Sequence, residues 1–452
     1  MSFARYPAYK DSGVEWLGEV PGHWEVKKLK RACQVFPSNV DKKSHEGETT
    51  VQLCNYTDVY YNDTIVAGTD FMVATATPDQ IAKFTLRAGD TIITKDSETA
   101  DDIAIAAYVP ADLPGVICGY HLSMIRPEQH AVGAFVKRLF DSSYVKSCVA
   151  VRANGLTRVG LGQYAIDNLD LPFPPLPEQT QIAAFLDRET AKIDGLVAEQ
   201  RRLMALLKEK RQAVISHAVT QGLNPHAPMK PSGIEWLGDV PAHWRVGKCG
   251  FYLSILSGFA FPSLGFSEDE TDARLLRGIN VGVSRLKWKE TVYWRRSPDD
   301  GLDGYAMQAG DLVIGMDRPL ISEGMRVAKV KEEDLPCLLL QRVASLKTGG
   351  QLNGDYLLGL LSSEMFVAHF SPETTGVSVP HISPEQINNF VISVPPMNEQ
   401  EAIVAFVGIE SAKFDTLTTE AQRAIDLLAE RRTALISAAI TGQIDVRGAI
   451  VA

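Results

Sequence analysis

The chain has 452 residues, of which 45% are hydrophobic and 22% charged, with a formal net charge of −10. This length suits three or four domains with their own cores, and the acidic balance argues against indiscriminate nucleic-acid binding while leaving room for a local basic surface, because charge is screened beyond about 8–10 Å. No apolar run approaches the roughly 18–20 residues that span a bilayer, Met1 to Lys10 carry no leader-like apolar core, and six cysteines (33, 54, 118, 148, 249 and 337) without CxxC or metal-ligand spacing are expected as buried or indifferent thiols of a reducing cytoplasm.

The first element, GVEWLGEVPGHW at 13–24, returns as GIEWLGDVPAHW at 233–244, with nine of twelve positions identical. Further on, AGDTII at 88–93 returns as AGDLVI at 309–314, and PPLPEQ at 174–179 as PPMNEQ at 395–400. The offset of 220 or 221 residues marks duplication of a whole unit; solenoid repeats run only about 20–50 residues. In each copy, His23 or His243 of the PxHW signature is expected as a packing residue rather than a ligand.

Residues 1–172 form the first head, with 17 basic and 21 acidic residues; its counterpart, 228–393, has 16 and 20. Neither is basic overall, so any nucleic-acid contact must come from local clusters. Short β-rich runs, Thr91–Thr94 and Leu312–Ile314, each follow a Gly-Asp turn, and Asp90 and Asp311 have the ordinary turn role of aspartate. One amphipathic helix is predicted near 133–147 and again at 354–368. Elsewhere the heads have diverged.

After each head comes a segment nearly free of Pro and Gly, 178–218 and 399–439. Leu186, Ile193, Leu207 and Val214 in the first, and Val407, Phe414, Leu428 and Leu435 in the second, recur at seven-residue spacing, as a coiled-coil seam does. Leu196, Leu203, Leu417 and Ala424 flank it. Double prolines (174–175 and 395–396) block an earlier start, and Gly222 and Gly442 fall where helix stops are expected. Glu178 and Glu399 complement a helix N-terminus. The simplest burial for both seams is against each other, antiparallel, as a rod of roughly 60 Å between two heads with the termini close together.

Catalytic signatures are missing. There is no P-loop motif. Gly160–Ala165 fits GxGxxA without a surrounding βαβ unit, and the second copy has Pro380–His381–Ile382 there. Phe173–Pro174–Pro175–Leu176 lacks the leading Asn or Asp and the closing aromatic of the amino-methyltransferase tetrapeptide. No metal-ligand set or repeated acid–base pair emerges.

Nucleic-acid chemistry is better represented. Arg274, Arg277, Arg285, Lys287, Lys289, Arg295 and Arg296 fall within 274–296 beside a single acid, Glu290, with Trp288, Tyr293 and Trp294 interleaved and Asn280 adding an amide. Arg bonds guanine bidentately, Asn adenine, and Lys holds phosphate. The first head has polar and aromatic Asn55, Tyr56, Tyr60, Tyr61 and Asn62 instead, which suits two heads reading different sequences. Loops after the repeated strands add Lys95 and Ser97, and Arg318 and Arg326; Arg152 and Arg158 flank a glycine loop.

The order of GVEWLGEVPGHW-type opening, variable head and PPLPEQ- or PPMNEQ-led helix, stated twice, resembles the specificity subunit of Type I restriction–modification systems along the whole chain. The resemblance implies an α+β fold: target-recognition domains at 1–172 and 228–393, each reading half of a split sequence, separated by conserved spacer helices at 173–227 and 394–452. It implies double-stranded DNA, two modification (methyltransferase) subunits and two restriction (translocase and nuclease) subunits as partners in a bacterial or archaeal cytoplasm, with no membrane. S-adenosylmethionine, ATP and Mg would belong to those partners, and this chain would hold no catalytic residue, metal or cofactor. A two-headed protein-binding scaffold is the alternative from the residues alone.

Overall fold

The computed structural model describes residues 3–321, 324–374 and 380–448. The chain divides into two units: Met1–Gln200 with Gln422–Ala452, and Arg201–Ala421. Each joins one mixed α/β head to part of both long helices.

In the first unit, strands Ala106–Tyr108, Thr91–Thr94, Leu122–Pro127 and Cys33–Pro37 lie side by side in that order, all antiparallel. All four residues of Thr91–Thr94 are buried, as expected for a central strand covered on both faces. A second sheet orders Met72–Ala76, Thr49–Cys54, Leu113–Cys118 and Thr85–Leu86, with the middle pair parallel. The second unit repeats this plan: Leu253–Ser257, Val343–Thr348, Leu312–Gly315 and Val327–Lys329 form the antiparallel sheet, and Ala273–Leu276 pairs in parallel with Cys337–Leu339.

The single helix expected near 133–147 is two, Gly133–Asp141 and Ser143–Ala150. Ser142 breaks it by turning extended, and its hydroxyl caps the second piece by accepting from the Val145 N–H at 3.3 Å. The second unit has the same break, Gly354–Leu361 then Glu364–Thr374, with Ser363 capping. Serine is a weak helix former because it offers the backbone this alternative partner.

The long helices run Leu176–Gln221 and Met397–Ile440, beginning directly after the double prolines. Gly222 and Gly442 end them at φ +77° and +75°, the left-handed stop that favours glycine. In the first unit Ile182, Phe185 and Leu186 share a core with Ile436, Ala439 and Ile440, and Asp194 meets Arg432 at 3.1 Å. In the second, Ala218 and Val219 share a core with Ile403, and Arg211 meets Asp415 at 2.6 Å. Rising numbers on one helix meet falling numbers on the other, so the pairing within each unit is antiparallel.

Among the seam positions, Leu186, Ile193, Leu207 and Phe414 are buried, and Val214, Val407, Leu428 and Leu435 half-buried. The flanking column differs from expectation: Leu196, Leu203 and Leu417 are 42–52% exposed. Where a helix lies on its head, as at Ile182 to Leu186, the apolar face is wide; beyond the head it narrows to the single column that holds buried Ile193 and Leu207, with half-buried Gln200 between them.

A repeated clamp fixes each head to a helix start. Glu178 is buried, with Oε1 accepting from Trp24 Nε1 at 3.0 Å and Oε2 lying 2.7 Å from His23 Nε2. Glu399 binds Trp244 and His243 at 2.9 and 2.6 Å. The neighbouring Gln179 accepts from the Val132 N–H and donates to the His130 and Pro174 carbonyls; Gln400 does the same with Asn353, Gln351 and Pro395. The histidines, expected as packing residues, are exposed partners of the glutamate carboxylates, and the EQ dipeptide does more than complement a helix dipole: it anchors the head.

Candidate nucleic-acid interface

In the first head three strand ends converge. After Cys54 the chain enters the short helix Tyr56–Tyr60, with Asn55 as N-cap and Asp58 completing a capping box. After Cys118 it turns at Gly119, where a Cβ would lie 2.7 Å from the Cys54 carbonyl, into Tyr120 and His121. After Thr94 it reaches Lys95–Ser97, and the Lys95 N–H donates to the His121 carbonyl at 3.0 Å.

Asp96 is the hub. His121 Nδ1 lies 2.8 Å from its Oδ2, and Arg158 Nη2 lies 3.2 Å from its Oδ1. Arg158 comes from a loop closed by paired hydrogen bonds between Asn154 and Gly160, and Val159 pairs with Ser97 in a short ladder. Lys95 Nζ donates to the Ser38 carbonyl at 2.8 Å and sits 4.5 Å from the Tyr120 ring centroid; burial holds its ammonium below the usual lysine range. Tyr56 and Tyr60 stack at 5.4 Å, and Tyr60 meets Tyr61 edge-on at 5.0 Å. The Tyr60 hydroxyl donates to Asp102 at 2.8 Å, which raises its pKa; burial first of all raises that of Tyr56, whose hydroxyl bonds Ser97. Tyr61 is 77% exposed.

Of the first-head candidates, Arg158 pairs with Asp96, Lys95 lies next to it in the chain, and the tyrosines form a stacked group tied to Asp102. Four have other duties. Ser97 is buried and faces inward. Arg152 donates to the Cys148 carbonyl at a helix end, apart from the Asp96 group. Asn55 is taken up by the cap, and Asn62 donates to the Asp58 carbonyl at 2.9 Å. Sequence reasoning missed Asp96, Asp102, Tyr120 and His121. A signal was present for Asp96: aligning AGDTII with AGDLVI places Asp96 opposite Asp317.

The second head repeats the hub with different spokes. Asp317 Oδ1 lies 2.7 Å from His381 Nδ1 and 3.7 Å from Arg342 Nη1. Arg318 is exposed, with φ +44°, and its N–H donates to the Pro380 carbonyl. Arg326 turns inward, donating to the Val281 and Asp317 carbonyls at 2.9 and 3.2 Å, and burial lowers its pKa.

The basic cluster at 274–296 is largely committed internally. Arg296 forms a two-pronged pair with Asp300 (2.6 and 2.9 Å) and a contact with Asp303 (2.6 Å), and its hydrogen bonds hold the Asp300 carboxyl down at about 2. Arg295 lies 3.5 Å from both Asp269 and Asp272. Arg274 sits 5.2 Å from the Trp288 ring and donates to the Glu333 carbonyl, while Trp288 donates to Asp334 at 2.7 Å. Arg277 donates to the Glu290 carbonyl. Tyr293 is half-buried in a two-residue strand beside Arg274. Asn280 has no exposed surface: it accepts from the Arg277 N–H and donates to the Lys287 and Lys289 carbonyls, so it shapes the loop and offers no edge to an adenine. Arg285 and Lys287 line a cavity of about 830 Å³ with Lys208, Arg211 and Asp415. Lys289 is exposed and has no ion pair among the described residues. The charge that looked free in sequence is partly balanced, for Arg295 by Asp269 and Asp272 upstream and for Arg296 by Asp300 and Asp303 in the turn that follows.

Among the described residues no group of His, Cys, Asp or Glu is placed to hold a metal ion, and no helix is long and apolar enough to cross a membrane.

A family model described as "Type I restriction modification DNA specificity domain" matches residues 21–201. The chain is 27% identical over 317 residues to the Type I restriction enzyme MjaVIII specificity subunit of Methanocaldococcus jannaschii, covering 69% of this chain and 70% of that protein. It is 31% identical over 205 residues to the EcoAI specificity subunit of Escherichia coli, covering 45% and 34%. The fold is shared with a chain from a structure described as the basis of complex assembly and conformational transition of the type I R-M system (TM-score 0.69, 18% identity, 93% and 98% coverage). It is also shared with the HsdS subunit from Thermoanaerobacter tengcongensis (TM-score 0.52, 19% identity, 94% and 98% coverage).

Proposed function

We propose that this chain, which belongs to the Type I restriction–modification specificity subunits, is the non-catalytic, sequence-specific DNA-binding member of its complex and reads a bipartite target with one head per half. Residues 1–172 and 228–393 are the two target-recognition domains, and 173–227 and 394–452 the conserved spacers. The observation that carries this reading is an unequal duplication. The clamps made by Glu178 and Glu399, and by Gln179 and Gln400, are the same in both units, whereas the loops that would face DNA have changed chemistry: tyrosines, Lys95 and Arg158 in the first head, and Arg318, Arg342 and Lys289 in the second. A preserved frame with diverged tips is what two readers of different sequences require.

The long helices support a paired partner. Leu196 and Leu206 are 52% and 51% exposed, and their repeat mates Leu417 and Leu427 are 50% and 56% exposed. Each unit carries one such leucine on each long helix, Leu196 with Leu427 in the first and Leu417 with Leu206 in the second, so the same apolar set is offered twice, which suits two copies of one protein. In this reading those copies are the modification subunits, two restriction subunits join them, and the partners carry S-adenosylmethionine, ATP and Mg.

Exchanging residues 1–172 for the corresponding head of a relative tests the assignment. Methylation-sensitive sequencing of DNA from cells carrying the chimera with its modification subunits should show one half of the target changed and the other kept. A change in both halves, or in neither, overturns the two-reader model.

A further inference from the structure

The hubs of the two heads are built from the same residue types arriving by opposite routes. Asp96 receives a histidine, His121, from the turn that follows the parallel strand, and an arginine, Arg158, from the loop near the end of the head. Asp317 receives an arginine, Arg342, from that turn, and a histidine, His381, from that loop. Repeat alignment places His121 opposite Arg342 and Gly160 opposite His381. The arginine has changed sides while the carboxylate, histidine and arginine set is kept.

We propose that Arg158 and Arg342 each read a guanine in the major groove, one in each half of the target, and that Asp96 and Asp317 are positioning residues that hold those guanidiniums in place. This rests on the two-reader function above and adds the chemistry of one base pair per half.

Four observations support it. Both arginines are more than half exposed, at 52% and 61% of the side chain, although a carboxylate holds one edge. A guanidinium has five donors in a planar fork, so an edge remains for guanine O6 and N7. Second, the neighbouring carboxylate argues against phosphate as the ligand, because it would repel an anion and already offsets the arginine charge. A neutral base edge suffers no such repulsion and rewards direction. In the second head Met316 stands where Lys95 does in the first, and the neighbouring charges there are Arg318 and the inward-turned Arg326.

Third, the backbone that carries each arginine is constrained. The loop carrying Arg158 closes so tightly that a Cβ on Gly155 would fall 1.8 Å from the Arg158 carbonyl oxygen. Arg342 adopts φ +70°, in the left-handed region that non-glycine residues rarely enter, and such strain gathers at recognition sites. Fixing the backbone beneath a long side chain before binding lowers the ordering cost. Fourth, each hub carries an arginine beside its repeated aspartate although that arginine arrives from a different segment in each head.

The test uses the full chain with its modification subunits in cells and reads methylated positions by sequencing. Lysine at these exposed sites keeps the charge and removes the bidentate fork. Arg158→Lys is expected to lower discrimination about 10- to 100-fold at one guanine-bearing base pair of one half, and Arg342→Lys to do so in the other half only. Asp96→Asn should relax the same base pair as Arg158→Lys, to a smaller degree, whereas a purely structural role would lower methylation equally at all sites. Unchanged motifs, a relaxed pair without guanine, or a uniform loss across sequences would each overturn the guanine assignment and leave the two-reader function standing. A bipartite motif missing from cells with the unmodified chain would overturn both.

Discussion

The indole Nε1 of Trp24 lies 3.0 Å from Oε1 of Glu178, and both side chains are buried. Removing the carboxylate leaves a buried N–H with no partner, which costs about 1–3 kcal/mol. Glu178→Ala should therefore lower stability by about 2–3 kcal/mol and Glu178→Gln by less, since the amide keeps one acceptor. The Glu399 side chain is 37% exposed against 7% for Glu178, so water can replace it, and Glu399→Ala should cost about 1 kcal/mol. Chemical denaturation of the three variants measures this order.

The glycines that end the long helices should differ in the same direction. A Cβ on Gly442 would lie 2.3 Å from Pro21 Cδ, at φ +75°; on Gly222 it would lie 3.1 Å from the Trp244 ring, at φ +77°. Both alanine substitutions incur left-handed strain of about 1–2 kcal/mol, and Gly442→Ala adds a clash with a rigid ring. Thermal unfolding should show Gly442→Ala as the more damaging.

Acid should loosen the first unit through Asp63. Burial alone would raise its pKa, but Lys137 at 2.8 Å and Arg432 at 3.2 Å outweigh it and leave the pKa below the ordinary value. A carboxyl depressed by folding contributes stability that is complete above its unfolded value of about 3.9 and is lost as pH falls through the folded value. The melting temperature of the wild type minus that of Asp63→Asn should be positive at pH 7 and shrink toward zero as pH falls below about 4. A difference that grew on acidification would refute the sign.

All six cysteines are buried and unpaired, and burial pushes the thiols of Cys33, Cys249 and Cys337 up to about 12. Since the thiolate is the reactive form, the native protein should resist maleimide or disulfide reagents at pH 7, and all six thiols should react after denaturation. Mass spectrometry of the labelled chain counts them. Rapid labelling of Cys337 in native protein would contradict its burial.

The frame was legible in the sequence because it was written twice. The GHW and PPLPEQ signatures pointed to matched units, the double prolines and Gly222 bounded the helices, and the Gly-Asp turns opened the strands. The tips were harder to read. Arg295 looks free until the chain folds Asp269 and Asp272 back onto it, and Arg296 until the following turn brings round Asp300 and Asp303. Asn280 looks like a base reader until its amide closes on the loop's own carbonyls. In both cases composition shows the charge or amide but not the partner, because the partner is set by tertiary contact. Leu196 and Leu417 fit the heptad yet stay exposed, since spacing alone does not say which column meets a neighbour.

The attachment of each head rests on Trp24 with Glu178, or Trp244 with Glu399, and on Gln179 or Gln400. The tryptophan lies at the head's entrance and the glutamate at its exit, so both sides of that fastening flank the head, while the glutamine grips main-chain groups inside the head that do not depend on side-chain identity. A genetic crossover within those flanks would deliver a foreign head with its fittings already matched to the resident helices. Novelty at the tips can therefore be inherited as a cassette, with no compensating change elsewhere in the gene.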